Sequence, residues 1–274
     1  MTFAHTFARA LIFVGIVGFA GSMTPLAHAQ SEVLTIAAAS SLKDALRKVL
    51  PLFETQNRDV SVRVIYAQPK TLLKQIEEGA PVDVFLPAQF EEIDQLENKE
   101  LILKDTKRVY ARTALVLITS SAFPAQLGSI QELETKPVRH IAVGDPSVSA
   151  VGKDAIQFLR YRNLESRLKS QFIYGEHSRA VLDLVSKGEA ELGVVYRTDA
   201  IGVKRVRIVD AAPLDSHRPI SYGVASPWTA YNVSGARDFV SFLLAERVQA
   251  ELKQYGFEPV VTDISLTQRQ EVEP

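Results

Sequence analysis

Between residues 33 and 86 the hydrophobic pattern changes period four times. Residues 33–38 (VLTIAA) form a short, nearly continuous apolar run, the mark of a buried strand. Leu42, Ala45, Leu46, Val49, Leu50 and Phe53 then recur every three or four residues, which is one face of a helix. Residues 59–67 alternate as a strand, 71–78 read as a helix stopped at Gly79, and 82–86 form another strand. This β–α–β–α–β rhythm predicts a parallel sheet covered by helices.

A second set follows. Strands are predicted over 114–119, 140–143, 171–174 and 192–196, with helices over 154–160 and 178–187, the latter ended by Gly188. The pattern finishes with a strand over 220–225 and one long helix over 236–255, with Phe239, Val240, Phe242, Leu243, Val248 and Leu252 inward and Gly256 as its stop. No internal repeat is visible, and the polar last ten residues, 265–274, read as a disordered tail. No long linker separates the sets, so strands should cross between them as a hinge. The expected architecture is α/β and two-lobed, with mixed sheets flanked by helices: 30–112 plus 220–264 as lobe 1 and 113–219 as lobe 2. Two such lobes close on a ligand held between them.

Residues 1–29 precede this pattern and look like an address. His5 and Arg9 stand in a start without acids, an apolar run fills 10–20, Pro25 breaks it, and Ala27-His28-Ala29 is a small-x-small cleavage pattern. That order is a secretory signal peptide, with the cut after Ala29 and export as its consequence.

Composition then narrows the chemistry. With 46% hydrophobic residues in a 274-residue chain, wholesale disorder is disfavoured. Thirty-one Lys+Arg against 32 Asp+Glu give a net charge of −1, without the cationic excess a nucleic-acid binder needs. The absence of cysteine removes disulfides, iron–sulfur clusters, thiolate zinc sites, cysteine nucleophiles and a lipid-modified N-terminus. The five histidines (5, 28, 140, 177 and 217) show no ligand spacing, so no free metal cation and no cofactor are expected. No Gly-x-Ser-x-Gly elbow or P-loop occurs, and Gly152-Lys153-Asp154 lacks the hydroxyl residue a P-loop requires. An enzyme is therefore not expected, a secreted α/β hydrolase being the weakest alternative.

Anion chemistry fits better. Ser40-Ser41 stands between a strand and a helix, and Ser41-Leu42-Lys43-Asp44 reads as a capping box with Asp in place of Glu. Val151-Gly152 and Ser178 likewise precede helices. The unpaired N–H groups of a helix start, aided by the macrodipole, can hold an oxyanion with little formal charge. Each serine alone is equally explained as a plain helix cap.

The stretches TIAAASSLKDAL (35–46), KQIEEGAPVDVFLPA (74–88), AVGDPSVSAVGKDA (142–155), LGVVYRTDA (192–200) and QYGFEP (254–259) resemble the periplasmic molybdate-binding proteins of ABC importers, in order and over nearly the whole mature chain. The resemblance implies a two-lobed periplasmic-binding-protein fold of type II-like topology. It implies molybdate or tungstate as the captured ligand, an inner-membrane permease with its ATPase as partner, and a monomer. Carried over by motif, Ser41 matches the family's first serine. Val151 and Ser178 match positions that donate a backbone N–H, and Tyr196 matches a tyrosine whose hydroxyl reaches the oxyanion. Ser40 could add a hydroxyl.

Two departures stand out. The turn that should carry a second serine reads Ala67-Gln68-Pro69-Lys70, and Pro69 supplies neither hydroxyl nor N–H. Gln68 and Lys70 are candidate replacements, with Lys70 equally explained as a solvated helix start. Gln89 replaces an acid usual in the family, which shifts the site in the positive direction. The alternative implied by these changes is the same scaffold with a different oxyanion or a small organic acid as cargo.

Overall fold

In the computed structural model, which describes residues 32–122 and 127–260, the first apolar run becomes strand β1 (Glu32–Ala39). A single turn of 3-10 helix over Ser40–Leu42 leads into helix α1 (Lys43–Gln56). Strand β2 (Val60–Ala67), helix α2 (Pro69–Glu77), strand β3 (Val84–Leu86) and helix α3 (Glu91–Asn98) follow. The three strands pair in parallel in the order β2-β1-β3, as the rhythm of the sequence predicts. The face anticipated for α1 is the buried one, with Leu42, Ala45, Leu46, Val49 and Phe53 in the core.

Strand β4 (Arg108–Thr113) leads directly into β5 (Leu115–Ser120) of a second, five-stranded sheet. That sheet is completed by β6 (Ile141–Gly144), α4 (Ala150–Tyr161), the short α5 (Glu165–Leu168), β7 (Phe172–Gly175), α6 (Ser178–Ser186), β8 (Leu192–Tyr196), α7 (Arg197–Ala200) and β9 (Val206–Ala211). Its order is β7-β6-β8-β5-β9. Strands β6, β7 and β8 run parallel, while β5 is antiparallel to β8 and β9. The chain then returns through β10 (Ile220–Val224), α8 (Val233–Leu243), α9 (Glu246–Lys253) and β11 (Glu258–Pro259). Both β10 and β11 pair antiparallel with β4, and a bridge from Phe85 to Ala225 joins this small sheet to β3.

Two sets of cores result. One gathers residues 34–111 with 222–257, where Phe53 sets its edge against Phe239 (5.1 Å) and Phe242 (5.2 Å). The others are built from residues 114–220.

The structure corrects several sequence expectations. The long helix over 236–255 is two helices, broken at Leu244-Ala245. The buried Gln249 amide stands at the break and donates to the carbonyls of Leu243 (2.6 Å) and Tyr110 (2.8 Å), satisfying the end of α8. The apolar spacing does carry a warning, since the five-residue step from Leu243 to Val248 is out of helical phase. Ser41 forms no capping box: it lies within the 3-10 turn, and α1 starts without a side-chain cap. Ser178 does not precede α6 but opens it. His177 is the cap, its Nδ1 accepting from the Ala180 N–H at 3.2 Å. Helix α4 begins at Ala150, so Val151 and Gly152 belong to its first turn. The expected leader over 1–29 and tail over 265–274 lie outside the described residues.

Candidate functional site

Parallel strands end at one edge, so the sheet register decides which predicted residues can meet. Ala39 of β1 faces Ala67 of β2, so the Ser40-Ser41 turn and the Gln68-Pro69-Lys70 turn leave the first sheet side by side. Ser40 and Ser41 are exposed, and among the described residues their hydroxyls carry no hydrogen bond. Pro69 occupies the first position of α2, where its fixed φ suits a helix start and its missing N–H leaves one donor fewer toward the edge. Lys70 is exposed beside it.

In the second sheet, β6, β7 and β8 also end together. Val151 follows β6, Ser178 follows β7, and Tyr196 is the last residue of β8. The first turn of α4 sits unusually close to its strand. A Cβ placed on Gly152 would lie 2.3 Å from the Gly144 carbonyl oxygen, and one on Gly144 would lie 2.7 Å from the Gly152 nitrogen. Two glycines therefore let the donor end of α4 rest on the end of β6. Val151 and Ser178 occupy first-turn positions, whose N–H groups have no intrahelical acceptor.

One side chain relates the two edges. Arg218 stands between β9 and β10. Its Nε donates to Asp154 Oδ1 at 2.7 Å, and its Nη1 donates to Glu91, the first residue after the β3 loop. A single guanidinium spans from α4 to α3, so the carboxyl ends of the two parallel strand sets face each other across it. Where the chain crosses, Arg197 pairs with Glu258 (3.0 Å) and Thr198 Oγ1 shares a proton with Tyr222 Oη (2.9 Å).

Carboxylates occupy the polar handles of the second edge. The Tyr196 hydroxyl donates to Asp154 Oδ2 at 2.6 Å, with Tyr196 9% and Asp154 1% exposed. Burial and the adjacent Asp154 charge hold the Tyr196 hydroxyl well above the ordinary phenol range, so it stays protonated. Burial likewise pushes the Asp199 carboxyl up, against a hydrogen bond from the Ser178 side chain and the nearby Arg179 charge. Ser178 therefore turns its hydroxyl to Asp199 and leaves its backbone N–H for the edge. Burial pulls Arg218 down, but Asp154 and Glu91 outweigh it and raise the guanidinium. At the first edge, burial pushes Glu92 up to about 7, partly offset by the Gln89 N–H it accepts at 2.9 Å.

Sequence reasoning did not find Asp154, Arg218, Glu91 or Asp199. Asp154 was on view in Gly152-Lys153-Asp154, and its place in the first turn of an amphipathic helix was the available signal. Arg218 gave none, because it lies between elements and its partners are 64 and 127 residues away.

The sequence matches the bacterial extracellular solute-binding protein family over residues 34–258. It is 34% identical over 232 residues to the molybdate-binding protein ModA of Haemophilus influenzae, covering 84% of this chain and 91% of that one. It is 30% identical to ModA of Escherichia coli, covering 87% and 96%. Among solved structures it resembles the substrate-binding domain of a putative molybdenum ABC transporter from Clostridium difficile, with a TM-score of 0.78, 32% identity and coverage of 84% and 100%. The sulfate-binding protein SubI of Mycobacterium tuberculosis shares the fold (TM-score 0.67, 18% identity, coverage 89% and 92%). The chain belongs to the bacterial extracellular solute-binding proteins, as a two-lobed member of the group that includes the ModA proteins.

Proposed function

We propose that this chain captures molybdate in the periplasm and presents it to an ABC importer, acting as a binding protein and not as a catalyst. The lobes are taken as 30–112 plus 220–264 and 113–219, with the anion between the facing strand ends. The observation that carries the reading is the register: the free hydroxyls of Ser40 and Ser41 leave one edge, and the first turns of α4 and α6 leave the other. Ser41 supplies a hydroxyl, with Ser40 beside it. Val151 and Ser178 supply backbone N–H groups, and Tyr196 turns its hydroxyl from Asp154 to the anion when the ligand arrives. Neutral, preorganised donors suit a dianion because they are worth most in a closed, water-poor site. Tungstate has the same charge and tetrahedral shape and is expected to bind as well. The protein is expected to work as a monomer with a permease and its ATPase as partners, after cleavage behind Ala29.

Titration calorimetry of the mature protein with molybdate, tungstate, sulfate and phosphate tests the proposal. Heat with molybdate at micromolar protein is expected, and Ser41→Ala should weaken it at least about tenfold while leaving the fold intact. No heat with either group-6 anion would overturn the reading. A second reading, another oxyanion or a small organic acid, is favoured by Pro69 and by the carboxylates that hold Tyr196 and Ser178. Stronger heat with sulfate, phosphate or a carboxylic acid would select it.

A further inference from the structure

Four side chains form one line from the candidate anion position to the opposite lobe. The Tyr196 hydroxyl donates to Asp154 Oδ2, Asp154 Oδ1 accepts from Arg218 Nε, and Arg218 Nη1 donates to Glu91. Arg218 is suited to this place because its donors are set in a rigid planar fork, so two can be spent on carboxylates in different directions. Asp154 is the fixed end, 1% exposed, whereas the Arg218 and Glu91 side chains are 40% and 46% exposed. The contacts of Arg197 with Glu258 and of Thr198 with Tyr222 differ in kind. They lie beside β4 and β10, where the chain crosses.

We propose that Asp154, Arg218 and Glu91 form an interlobe latch keyed to the Tyr196 hydroxyl. In the ligand-free protein the pair of Arg218 with Glu91 biases the lobes toward the closed arrangement. When an anion draws the Tyr196 proton toward itself, Asp154 loses that donor and turns wholly to Arg218, whose fork then bridges the lobes more firmly. The latch raises affinity by increasing the fraction of molecules already competent to bind. Asp154 and Arg218 are positioning residues here. The keying rests on the anion-binding reading above, and the ligand-free bias does not.

The chain has no cysteine, so spin labels can be placed cleanly at Lys48→Cys and Lys204→Cys, two exposed sites in different lobes. Electron–electron double resonance on the ligand-free parent should show a short-distance population that shrinks in Glu91→Gln and in Arg218→Gln. Millimolar molybdate should restore it in both. By calorimetry Glu91→Gln should raise the Kd for molybdate about 2- to 5-fold, the range of a half-exposed ion pair. Asp154→Asn should raise it about tenfold or more, and adding Glu91→Gln to Asp154→Asn should cost little further, because the line is already cut. Identical ligand-free distances in Glu91→Gln and the parent would overturn the latch. If Asp154→Asn does not fold, the Glu91→Gln comparison decides alone. A parent that shows neither heat nor a distance change with molybdate would refute the anion reading, while the ligand-free comparison would still decide the latch.

Discussion

Asp83 is a buried carboxylate whose removal should be costly for folding. It lies just before β3, is 3% exposed, and forms no salt bridge among the described residues. Its Oδ2 accepts from the Thr35 N–H of β1 at 2.7 Å, and its Oδ1 accepts from the N–H groups of Tyr231 and Asn232 at 2.8 Å each. One carboxylate therefore fastens the central strand of the first sheet to the loop before α8. Charge-assisted bonds are worth about 1.5–3 kcal/mol each, but the buried charge costs several kcal/mol of desolvation, so the sum is not the answer. Truncation leaves three N–H groups without an acceptor, and we expect Asp83→Ala to lose about 3–5 kcal/mol, the range seen when a buried charge network is broken. That is a fifth or more of a usual folding free energy. For a chain of this size it lowers Tm by about 6–20 °C. Asp83→Asn keeps one acceptor oxygen and should fall between the two. Circular dichroism melts and urea titrations at pH 7 measure both. Asp83 lies at the amino end of β3, away from the Ser40-Ser41 edge, so the folded fraction of either variant should keep its anion affinity. A Tm loss below 2 °C, or a loss of affinity without a loss of stability, would refute the assignment.

Further outcomes follow from single contacts. Burial raises Glu92 from 4.5 to about 7, so folding favours its neutral form. Its contribution is greatest below pH 4.5 and is lost as pH rises through 7, amounting to about 3 kcal/mol. Glu92→Gln keeps the acceptor for Gln89, and its urea stability should exceed the parent's at pH 8 but match it near pH 4.5. Gly152→Ala puts a Cβ 2.3 Å from the Gly144 carbonyl oxygen. The first turn of α4 must shift, and calorimetry should record at least a tenfold loss of anion affinity. Pro69→Ser restores a hydroxyl and an N–H at the edge beside Ser41, and should tighten molybdate binding about tenfold or more. Unchanged affinity would place the anion away from that turn.

Much of the fold was legible in its periods, although strands β4 and β9 were not read from theirs. The parallel trio β1–β3 and the buried face of α1 followed from apolar spacing alone. Helix α3 was missed because only Ile93 and Leu96 mark its eight residues. Strand β11 has two residues and exists by pairing with β4. The candidate site was legible in its small residues and hidden in its charges. Ser40, Ser41, Val151 and Ser178 stand at strand-to-helix turns that any reader of the pattern would find. Asp154, Arg218 and Glu91 acquire meaning from contacts spanning 64 and 127 residues, which no local pattern encodes. Tyr196 shows the same limit, since its position was readable but the direction of its proton was not.

The discontinuous first core also has a temporal consequence. Residues 114–220 contain the cores of the second lobe in one uninterrupted stretch, whereas the first core needs residues 222–257 to join residues 34–111. A chain emerging amino end first can therefore close the cores of its middle segment while its first core still waits for α8 and α9. During that interval the surface destined for Phe239 and Phe242 is bare. Residues 222–257 cover that surface, so the first core closes only when they have joined residues 34–111.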